Sequence, residues 1–319
     1  MRKRGWPPLS KSGPAIGRGS NMAVIGFIGL GNMGGGMAAN LAKAGHVVRA
    51  FDLSADALAR ARDAGCETLE SAAAAAAGAE AVVTMLPAGA HVESVYRDAV
   101  FGAAAPGTLL IDCSTIDVAT ARHVAEAAAG KGLIAVDAPV SGGIAAANAG
   151  TLTFMVGGTD AGYARAQPIL AAMGRAVIHA GASGAGQAAK ICNNMLLGAT
   201  MVATCEAFLL AGKLGLDAQK FYDIASVSSG QSWSMTSYCP VPGVGPETPA
   251  DRDYQGGFAV ALMLKDLKLA AEAATTVAAQ TPMGAQAAAL YQAFADAGSA
   301  ALDFSAIIKL LDQRSNAQA

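Results

Sequence analysis

The stretch VIGFIGLGNMG, residues 24–34, decides the fold of the first half of the chain. Its first five residues form a short apolar run, which predicts a buried strand over Val24–Ile28. Glycines at positions 29, 31 and 34 follow with the spacing of a tight turn, and a helix is predicted over Met33–Lys43. A strand, a glycine turn and a helix in this order predict the first unit of a doubly wound, mostly parallel sheet.

The same turn is typical of a dinucleotide-binding site. Gly29, Gly31 and Gly34 allow backbone N–H groups to approach a pyrophosphate, whose charge the dipole of the following helix favours. Asp52 stands at the tip of the second predicted strand, where a carboxylate can accept hydrogen bonds from the adenosine ribose hydroxyls. That carboxylate would repel a 2′-phosphate, and no arginine follows directly in Phe51–Ser54, so NAD is favoured over NADP. A glycine turn without a ligand is the alternative.

Apolar runs and alanine-rich helical segments alternate up to about residue 180, whereas only helical segments follow. Alternation predicts βαβ units, and its loss predicts an all-α domain. We therefore predict a disordered tail or a misassigned start over 1–21, a Rossmann-type NAD-binding domain over 22–184 and an all-helical substrate and oligomerisation domain over 185–319. One long helix over 186–214 joins the two domains, and an unusually long loop is predicted over 229–257.

Composition and charge exclude several classes of protein. The chain has 319 residues, of which 53% are hydrophobic and 14% are charged, with a net charge of −2 and a mean hydropathy of +0.38. A nucleic-acid-binding protein would carry a basic surplus, and a transmembrane helix would need about twenty uninterrupted apolar residues, which the sequence lacks. Long buried helices or a large subunit interface, in a homodimer or homotetramer, account for the apolar content. We therefore expect no nucleic-acid partner and no membrane.

The cysteines and histidines give no sign of a disulfide framework or a metal site. Five cysteines and four histidines are scattered, without a CxxC pair or a Cys/His cluster. Unpaired cysteines fit a reducing compartment, and the cytoplasm is expected. Residues 1–21 are basic and rich in proline and glycine. A presequence for the mitochondrial matrix is the alternative, against which the prolines speak because they interrupt an amphipathic helix.

The run GAGQAAKICNN, residues 184–194, opens the long apolar helix and places one lysine there with few charges nearby. The next charged residue of the helix is Glu206, about 24 Å further along the axis. Gly186 and Asn194 share the face of Lys190, and the glycine is expected to let another molecule approach closely. A desolvated lysine has a lowered pKa, which suits proton transfer near neutral pH. A lysine that snorkels to the surface is the alternative.

A second polar stretch, DAPVSGG over residues 137–143, leaves a predicted strand and enters a turn of small residues. Successive N–H groups and the Ser141 hydroxyl could surround an anion, such as a substrate carboxylate. A plain loop is the alternative. The stretch favours a binding site only in combination with the glycine turn and the lysine run.

With these stretches in place, the chain resembles the β-hydroxyacid dehydrogenase family from about residue 23 to residue 311. The family signatures are the turn 29–34, the stretch 137–143, the run 184–194 and Lys265-Asp266-Leu267. The loop over 228–258, which contains SSGQSWS, YCPVPGV and YQGGF, is similar to the hydroxyisobutyrate branch of the family. It is less similar to the tartronate semialdehyde reductase, glyoxylate reductase and imine reductase branches.

The resemblance implies a role for each matching residue. Lys190 is the expected acid/base on the hydroxyl oxygen, and Asn194 is expected to hold that oxygen or the substrate. The expected substrate-binding residues are Ser141, Gly142, Gly143 and Trp233. The expected NAD-binding residues are Gly29, Gly31, Asn32, Met33, Gly34, Asp52, Leu86, Pro87, His91, Thr115 and Lys265. At position 91 relatives often have asparagine, which leaves the role of the histidine open.

The activity that the resemblance implies is NAD-dependent oxidation of 3-hydroxyisobutyrate to methylmalonate semialdehyde, a step of valine catabolism. No metal is expected, because the lysine supplies the charge stabilisation. Neutral Lys190 would take the hydroxyl proton, and its ammonium form would donate a proton in the reverse direction. One rival is an enzyme of the same fold for another short 3-hydroxyacid, such as tartronate semialdehyde or 3-hydroxypropionate. The other is a non-catalytic binding relative, which typically lacks the catalytic lysine.

Overall fold

The computed structural model describes residues 22–317, and within them every strand of the sheet precedes residue 182. The expected tail over 1–21 lies outside the described residues. The strands are β1 (Val24–Ile28), β2 (Val47–Phe51), β3 (Glu67–Thr68), β4 (Ala81–Thr84), β5 (Leu109–Asp112), β6 (Ile134–Asp137), β7 (Val140–Ser141), β8 (Leu152–Gly157) and β9 (Gly174–Gly181). Their order is β3-β2-β1-β4-β5-β6-β8-β7, with β9 beside β8. Neighbours from β3 to β6 are parallel, whereas β8 is antiparallel to β6 and β7.

Helices connect the strands and make up the chain after β9. They are α1 (Gly34–Lys43), α2 (Ala55–Asp63), α3 (Ala72–Ala76), α4 (Gly89–Val95), α5 (Phe101–Ala103), α6 (Val118–Ala129), α7 (Gly143–Ala149), α8 (Asp160–Ala171), α9 (Ala185–Lys213), α10 (Ala218–Ala225), α11 (Trp233–Thr236), α12 (Val260–Thr276), α13 (Pro282–Phe294) and α14 (Ile307–Ala317). Single π-helical turns follow α4 and α13, and 3-10 turns cover Pro249–Arg252 and Phe304–Ala306. The predicted fold class, a Rossmann-type domain joined by a long helix to an all-helical one, is confirmed.

The central strands are apolar because helices cover both faces of the sheet. In β1, Ile25 and Phe27 point into a core formed with α1, α2 and α8. Ile28 points to the opposite face, where Val82 of β4 and Leu110 of β5 pack with α3, α4 and α6. Successive side chains of a strand therefore serve two different cores, as the pleat requires.

Two short regions differ from the prediction. Strand β4 is predicted to reach Leu86 but ends at Thr84, because the Leu86 N–H donates a hydrogen bond to the Ser114 hydroxyl at 2.8 Å rather than to a neighbouring strand. The stretch after Asp137 is predicted as a turn of small residues but contains β7 and the seven-residue α7. A strand of two residues shows no alternation that a sequence pattern can display.

Helix α9 contacts both halves of the molecule. Its 29 residues span about 43 Å, with the start of the helix against β8 and β9 and with α12, α13 and α14 around the remainder. By length and composition it is the one helix among residues 22–317 that could cross a membrane. In this structure its buried side chains, among them Met201 and Cys205, belong to the core of the helical domain together with Met263, Tyr291 and Phe304.

A buried carboxylate anchors the predicted loop over 229–257, which contains α11 and the first 3-10 turn. Asp303 accepts hydrogen bonds from the Tyr238 hydroxyl at 2.9 Å and from the Phe258 N–H at 2.8 Å. It also accepts from the Ser305 N–H and hydroxyl, at 3.0 and 2.6 Å. The segment before α14 therefore fixes the middle of this loop and its C-terminal end.

Candidate active site

The three glycines of the turn between β1 and α1 meet different surroundings. Gly29 has a positive φ of 96°, and a Cβ there would collide with the carbonyl oxygen of Met85. A Cβ on Gly34 would collide with the carbonyl oxygen of Gly29, so these two positions permit close packing of the turn and the helix. Gly31 is exposed, and a Cβ there would meet no atom within 4 Å. The turn therefore leaves open space at its middle glycine. Such space would allow the backbone N–H groups of the turn to lie close to a pyrophosphate.

Asn32 and Met33 complete the turn. Asn32 is exposed and Met33 is half-buried at the start of α1. No side chain caps the N-terminus of α1 by a hydrogen bond, and its first turn holds no acidic residue. The positive end of the helix dipole is thus left without a counter-charge from the helix itself, as an anion-binding helix requires.

Asp52, the residue expected at the ribose, also supports the turn. Its Oδ2 atom accepts a hydrogen bond from the Leu30 N–H at 2.6 Å, and its Oδ1 atom accepts from the Ser54 N–H at 2.8 Å. Each carboxylate oxygen has a second lone pair that can accept a ribose hydroxyl. Asp52 therefore has a structural role, in holding the turn to the end of β2, that the sequence did not indicate.

A buried polar cluster holds the two loops that follow β4 and β5. The Leu86 N–H donates to the Ser114 hydroxyl, which donates to Asp112 Oδ1 at 2.6 Å. The Thr84 hydroxyl donates to the same oxygen at 2.8 Å and lies 3.0 Å from the hydroxyl of Tyr96. Burial raises the pKa of Asp112 to about 6, against the opposing effect of the hydrogen bonds from Ser114 and Thr84. Asp112 thus ties both loops to the sheet.

The helical domain reaches these loops through one lysine. The Lys265 ammonium donates to the carbonyl oxygen of Thr115 at 2.9 Å and to that of Pro87 at 3.3 Å. The structure therefore brings together Lys265 of α12, the loop after β4 that contains Leu86 and Pro87, and the loop after β5 that contains Thr115. His91 lies in the first turn of α4 with an exposed side chain.

The start of α9 is bound to the ends of two strands. The Asp137 carboxylate accepts from the Gly184 N–H at 2.7 Å and from the Gln187 N–H at 2.9 Å. The Gln187 side chain donates to the carbonyl oxygen of Ser114 at 2.7 Å and accepts from the Ile116 N–H at 3.1 Å. Asp137 and Gln187 thus fix the helix that carries Lys190 against the loop after β5.

The expectation for Gly186 is wrong. A Cβ at this position would meet the carbonyl oxygens of Met155 and Asp137, so the glycine allows α9 to pack against β8 and β6. The backbone of the sheet occupies the space that was expected to admit another molecule. Gly186 still shares one face of α9 with Lys190 and Asn194, but only the part of that face after Gly186 is available to a ligand.

Lys190 lies in a chain of polar contacts that reaches α12. Its side chain is buried, and its ammonium donates to Asn194 Oδ1 at 3.2 Å. The Asn194 amide donates in turn to Asp266 Oδ2. Burial lowers the pKa of Lys190 from its ordinary value; the Asp266 carboxylate opposes this effect and the charge of Lys265 adds to it. The lysine does not snorkel to solvent.

The expected carboxylate pocket begins a short helix. Ser141 pairs with Thr153 of β8, and Gly142 and Gly143 both have positive φ values, 135° and 71°. A Cβ on Gly143 would meet no atom within 4 Å. Among residues 22–317, no hydrogen bond joins Ser141 to Lys190, so the binding role of this pocket stays a prediction.

Trp233 is half exposed and stacks on the ring of Tyr238, with 4.8 Å between ring centroids. Its helix α11 meets α9 where the Ser234 and Thr200 hydroxyls lie 3.4 Å apart. Thr200 is ten positions after Lys190, or about 15 Å along the axis. The substrate contact expected of Trp233 also stays a prediction.

The sequence did not identify four buried polar residues that hold the site together, which are Asp112, Asp137, Gln187 and Asp266. Asp137, Gln187 and Asp266 all lie inside stretches that the sequence singles out, but nothing there indicates which side chain is buried or what it contacts. Asp112 precedes the Thr115 loop at the end of a predicted strand, a position where polar side chains commonly point towards a ligand. Among residues 22–317, no cluster of three or more His, Cys, Asp or Glu side chains is placed to hold a metal.

Comparison with known proteins gives matches along almost the whole described chain. Residues 24–181 match the model of the NAD-binding domain of 6-phosphogluconate dehydrogenase, and residues 184–311 match that of the NAD-binding domain of NADP-dependent 3-hydroxyisobutyrate dehydrogenase. A 3-hydroxyisobutyrate dehydrogenase of Pseudomonas aeruginosa is 54% identical, over 91% of this chain and 98% of the relative.

Two further relatives bear on the substrate. An NAD-dependent L-serine dehydrogenase of Pseudomonas aeruginosa is 49% identical, over 91% of this chain and 98% of the relative. The solved structure of Mycobacterium tuberculosis 3-hydroxyisobutyrate dehydrogenase with L-serine is 49% identical, with a TM-score of 0.88 over 91% of this chain and 99% of that one.

Proposed function

The chain belongs to the 3-hydroxyisobutyrate dehydrogenase family and is an NAD-dependent hydroxyacid dehydrogenase, and from this premise we propose that it oxidises 3-hydroxyisobutyrate to methylmalonate semialdehyde in valine catabolism. The observation that carries the chemical part of the proposal is the buried pair of Lys190 and Asn194 beside Lys265, whose ammonium contacts the loops after β4 and β5.

Bound NAD supplies the acceptor for the hydride that leaves the hydroxyl-bearing carbon. Lys190 takes the hydroxyl proton in its neutral form, which burial makes more accessible by lowering the pKa of the ammonium. Asn194 Oδ1 accepts from Lys190, and one Asn194 N–H is given to Asp266. The remaining N–H is the donor that we assign to the substrate oxygen.

The other substrate and cofactor contacts follow from the predicted residues. Ser141, Gly142 and Gly143 hold the carboxylate in this proposal, supported by the open space above Gly143. Trp233 covers the substrate from the loop that Asp303 anchors. Gly31 would admit the pyrophosphate of the cofactor, Asp52 would accept its ribose hydroxyls, and Pro87 and Thr115, in the loops that Lys265 contacts, would line its site.

L-Serine is the second candidate substrate, because one of the relatives is named as its dehydrogenase. L-Serine and 3-hydroxyisobutyrate share the reacting CH₂OH and the carboxylate, and they differ by an ammonium or a methyl group on the carbon between. Near the reacting group this chain places two lysines, Lys190 and Lys265, against one carboxylate, Asp266. With Lys190 neutral, the charge of Lys265 is balanced by that of Asp266, and no second carboxylate among the groups that act on Lys190 can pair with an additional ammonium, so we favour the methyl-bearing substrate.

The test is a comparison of kcat/KM for 3-hydroxyisobutyrate, L-serine, glycerate and 3-hydroxypropionate, each with NAD and with NADP. We expect 3-hydroxyisobutyrate with NAD to exceed every other pair by about tenfold or more, since one methyl-sized group in a fitted pocket is worth roughly that much. The Lys190→Ala variant, purified in the same way, controls for contaminating dehydrogenases. A higher kcat/KM for L-serine would replace the proposed substrate by the second candidate.

We also propose that the protein is a cytoplasmic homo-oligomer, a dimer or a tetramer, with domains over 22–184 and 185–319. The helical domain exposes several large apolar side chains, among them Leu196, Leu210, Leu214, Ile224, Val227, Val277 and Met283. Apolar surface of this kind is typical of a subunit interface. Light scattering coupled to gel filtration measures the mass directly, and a monomer at micromolar concentration would contradict the proposal.

A further inference from the structure

Asp266 is a buried carboxylate that is placed between the two lysines of the site. Only 3% of its surface is exposed, on the face of α12 that packs against α9. One oxygen accepts a hydrogen bond from Asn194, and the other lies 3.8 Å from the ammonium of Lys265. That second oxygen has no hydrogen-bond partner among residues 22–317. Burying a carboxylate is costly unless neighbouring groups compensate, so this placement calls for an explanation.

We propose that Asp266 is a positioning residue for the reaction, which fixes the orientation of the Asn194 amide and thereby the place of Lys190. The inference rests on the proposed role of Lys190 as acid/base. Asp266 itself touches neither the substrate nor the reacting atoms. Its role is to determine the positions of Asn194 and Lys190, which touch them in the proposed function.

Hydrogen-bond chemistry determines the orientation of the amide. A carboxylate can only accept, so Asp266 must face the NH₂ group of Asn194, and an ammonium can only donate, so Lys190 must face its carbonyl oxygen. The Asn193 side chain also donates to that oxygen, at 3.0 Å. Both the donor and the acceptor end of Asn194 are thereby assigned, and a single N–H remains for a ligand. Without Asp266, the amide could rotate by 180° and present its oxygen elsewhere.

The same carboxylate acts on the charge of Lys190. The titratable groups that face this lysine from α12 are Asp266 and Lys265, with opposite effects. From the sheet, Asp137 caps the start of α9, and Glu206 lies far along the same helix. Because Asp266 is the group that raises the pKa of Lys190, its removal lowers that pKa further.

The experiment compares Asp266→Asn with the wild-type holoenzyme in the direction of oxidation, where neutral Lys190 is needed. Asparagine has the shape of aspartate, so packing is kept while the charge and the obligatory acceptor are lost. We expect kcat to fall on the order of 100-fold through misplacement of the reacting groups, with the affinity for NADH unchanged. We also expect the rising limb of the pH profile of kcat/KM to move to lower pH.

Two further variants distinguish positioning from a merely structural role. Lys265→Met removes a cation from the other side of Lys190, so the same limb should move to higher pH. Asp266→Glu keeps the charge but displaces the carboxylate, so kcat should fall while the rising limb of the pH profile stays near that of the wild type. This variant replaces Asp266→Asn if Asp266→Asn does not fold. Asp63→Asn, the same substitution at an exposed carboxylate, should change neither quantity.

A folded Asp266→Asn enzyme with wild-type kcat and an unmoved limb would overturn the inference. So would an unmoved limb in Asp266→Asn together with a fall in thermal stability, because that pattern belongs to a packing role. Lys190→Ala, measured in parallel, separates this failure from that of the proposed function. If Lys190→Ala keeps its turnover, both are wrong, whereas if it loses turnover and Asp266→Asn behaves as wild type, only the positioning role is wrong.

Discussion

The sheet side and the helical side of the candidate site are built by different means. On the sheet side, the turn 29–34 offers backbone groups and the empty space above a glycine, and its one carboxylate, Asp52, is bound to the backbone of the turn. On the helical side, Lys190 and Lys265 offer charged side chains at the end of hydrogen-bond chains. Apart from Asp52, the sheet side should therefore tolerate loss of side chains but not added volume, whereas the helical side should tolerate neither loss nor displacement of a charge.

Two buried aspartates show the same difference. Asp112 lies below the sheet-side loops among hydroxyl and N–H donors, with no lysine among the causes that shift its pKa, which burial raises to about 6. Asp266 lies between two lysines, which oppose the rise in its pKa that burial causes. Asp112 holds two backbone loops through hydrogen bonds, whereas Asp266 lies close to two charged side chains. The same substitution should therefore have different consequences at the two positions.

The largest effect is expected at Lys190. Lys190→Ala removes the proposed acid/base, so kcat should fall by about 10²- to 10⁴-fold. NADH binding, measured by fluorescence titration, should survive because the sheet side is unchanged. Lys213→Ala is the matched control, since this lysine ends the same helix with an exposed side chain. Loss of NADH binding in Lys190→Ala would show that the two sides are not separable in this way.

The next effect concerns added volume on the sheet side. Gly34→Ala places a methyl group against the carbonyl oxygen of Gly29 and should lower the free energy of unfolding of the apoprotein by about 3 kcal/mol. Gly31→Ala meets no protein atom and should change it by less than about 0.5 kcal/mol, yet it should weaken NADH binding. Denaturant titration measures the free energy of unfolding of both variants, and NADH titration measures their affinity for the cofactor. Equal stability losses would mean that the middle glycine is a packing glycine too.

A smaller effect is expected at Asp52, where the sheet side depends on one charge. Asp52→Ala removes the carboxylate that repels a 2′-phosphate, so the ratio of kcat/KM for NAD to that for NADP should fall by about 100-fold. The absolute values should fall with both cofactors, because the Leu30 N–H loses its acceptor. A wild-type enzyme that is faster with NADP would show that Asp52 has been misinterpreted.

The smallest effect is expected at Asp112. The raised pKa of its carboxyl in the folded protein, about 6 against 3.8, means that this group stabilises the fold at low pH and that its contribution is lost as the pH rises from about 4 through about 6. Asp112→Asn cannot ionise and keeps an oxygen for the Thr84 and Ser114 hydroxyls. Its stability relative to wild type should increase over that window, which denaturant titrations at a series of pH values measure. A difference independent of pH would exclude this cause.

How far the sequence predicts this molecule depends on the distance over which each signal acts. The strand β1, the glycine turn and α1 follow from eleven consecutive residues and agree with the structure, because strand, turn and helix are all encoded locally. The two-residue strands β3 and β7 do not appear in any pattern, because hydrogen bonds to neighbours distant in sequence define them. Fold class was therefore predictable, and the exact extent of the short elements was not.

The site divides in the same way. The run 184–194 predicts a desolvated lysine, and the structure shows Lys190 buried with a lowered pKa. The carboxylate that opposes this lowering of the Lys190 pKa, Asp266, lies on another helix 76 positions away. No pattern within one helix can reveal it. Gly186 was misinterpreted for the same reason, because the strands that occupy its open face are also distant in sequence. What a residue is follows from the local sequence, but what it faces does not.

The hydrogen bonds between the Asp137 carboxylate and the first backbone N–H groups of α9 have a consequence for the order of folding. The helix that carries Lys190 has no side-chain cap of its own and takes its N-terminal partner from the sheet. Without the sheet, the first N–H groups of α9 would therefore lack these acceptors, and the first turn would fray. The sheet must therefore fold before the start of α9 is fully capped, and the position of Lys190 in the structure depends on that contact.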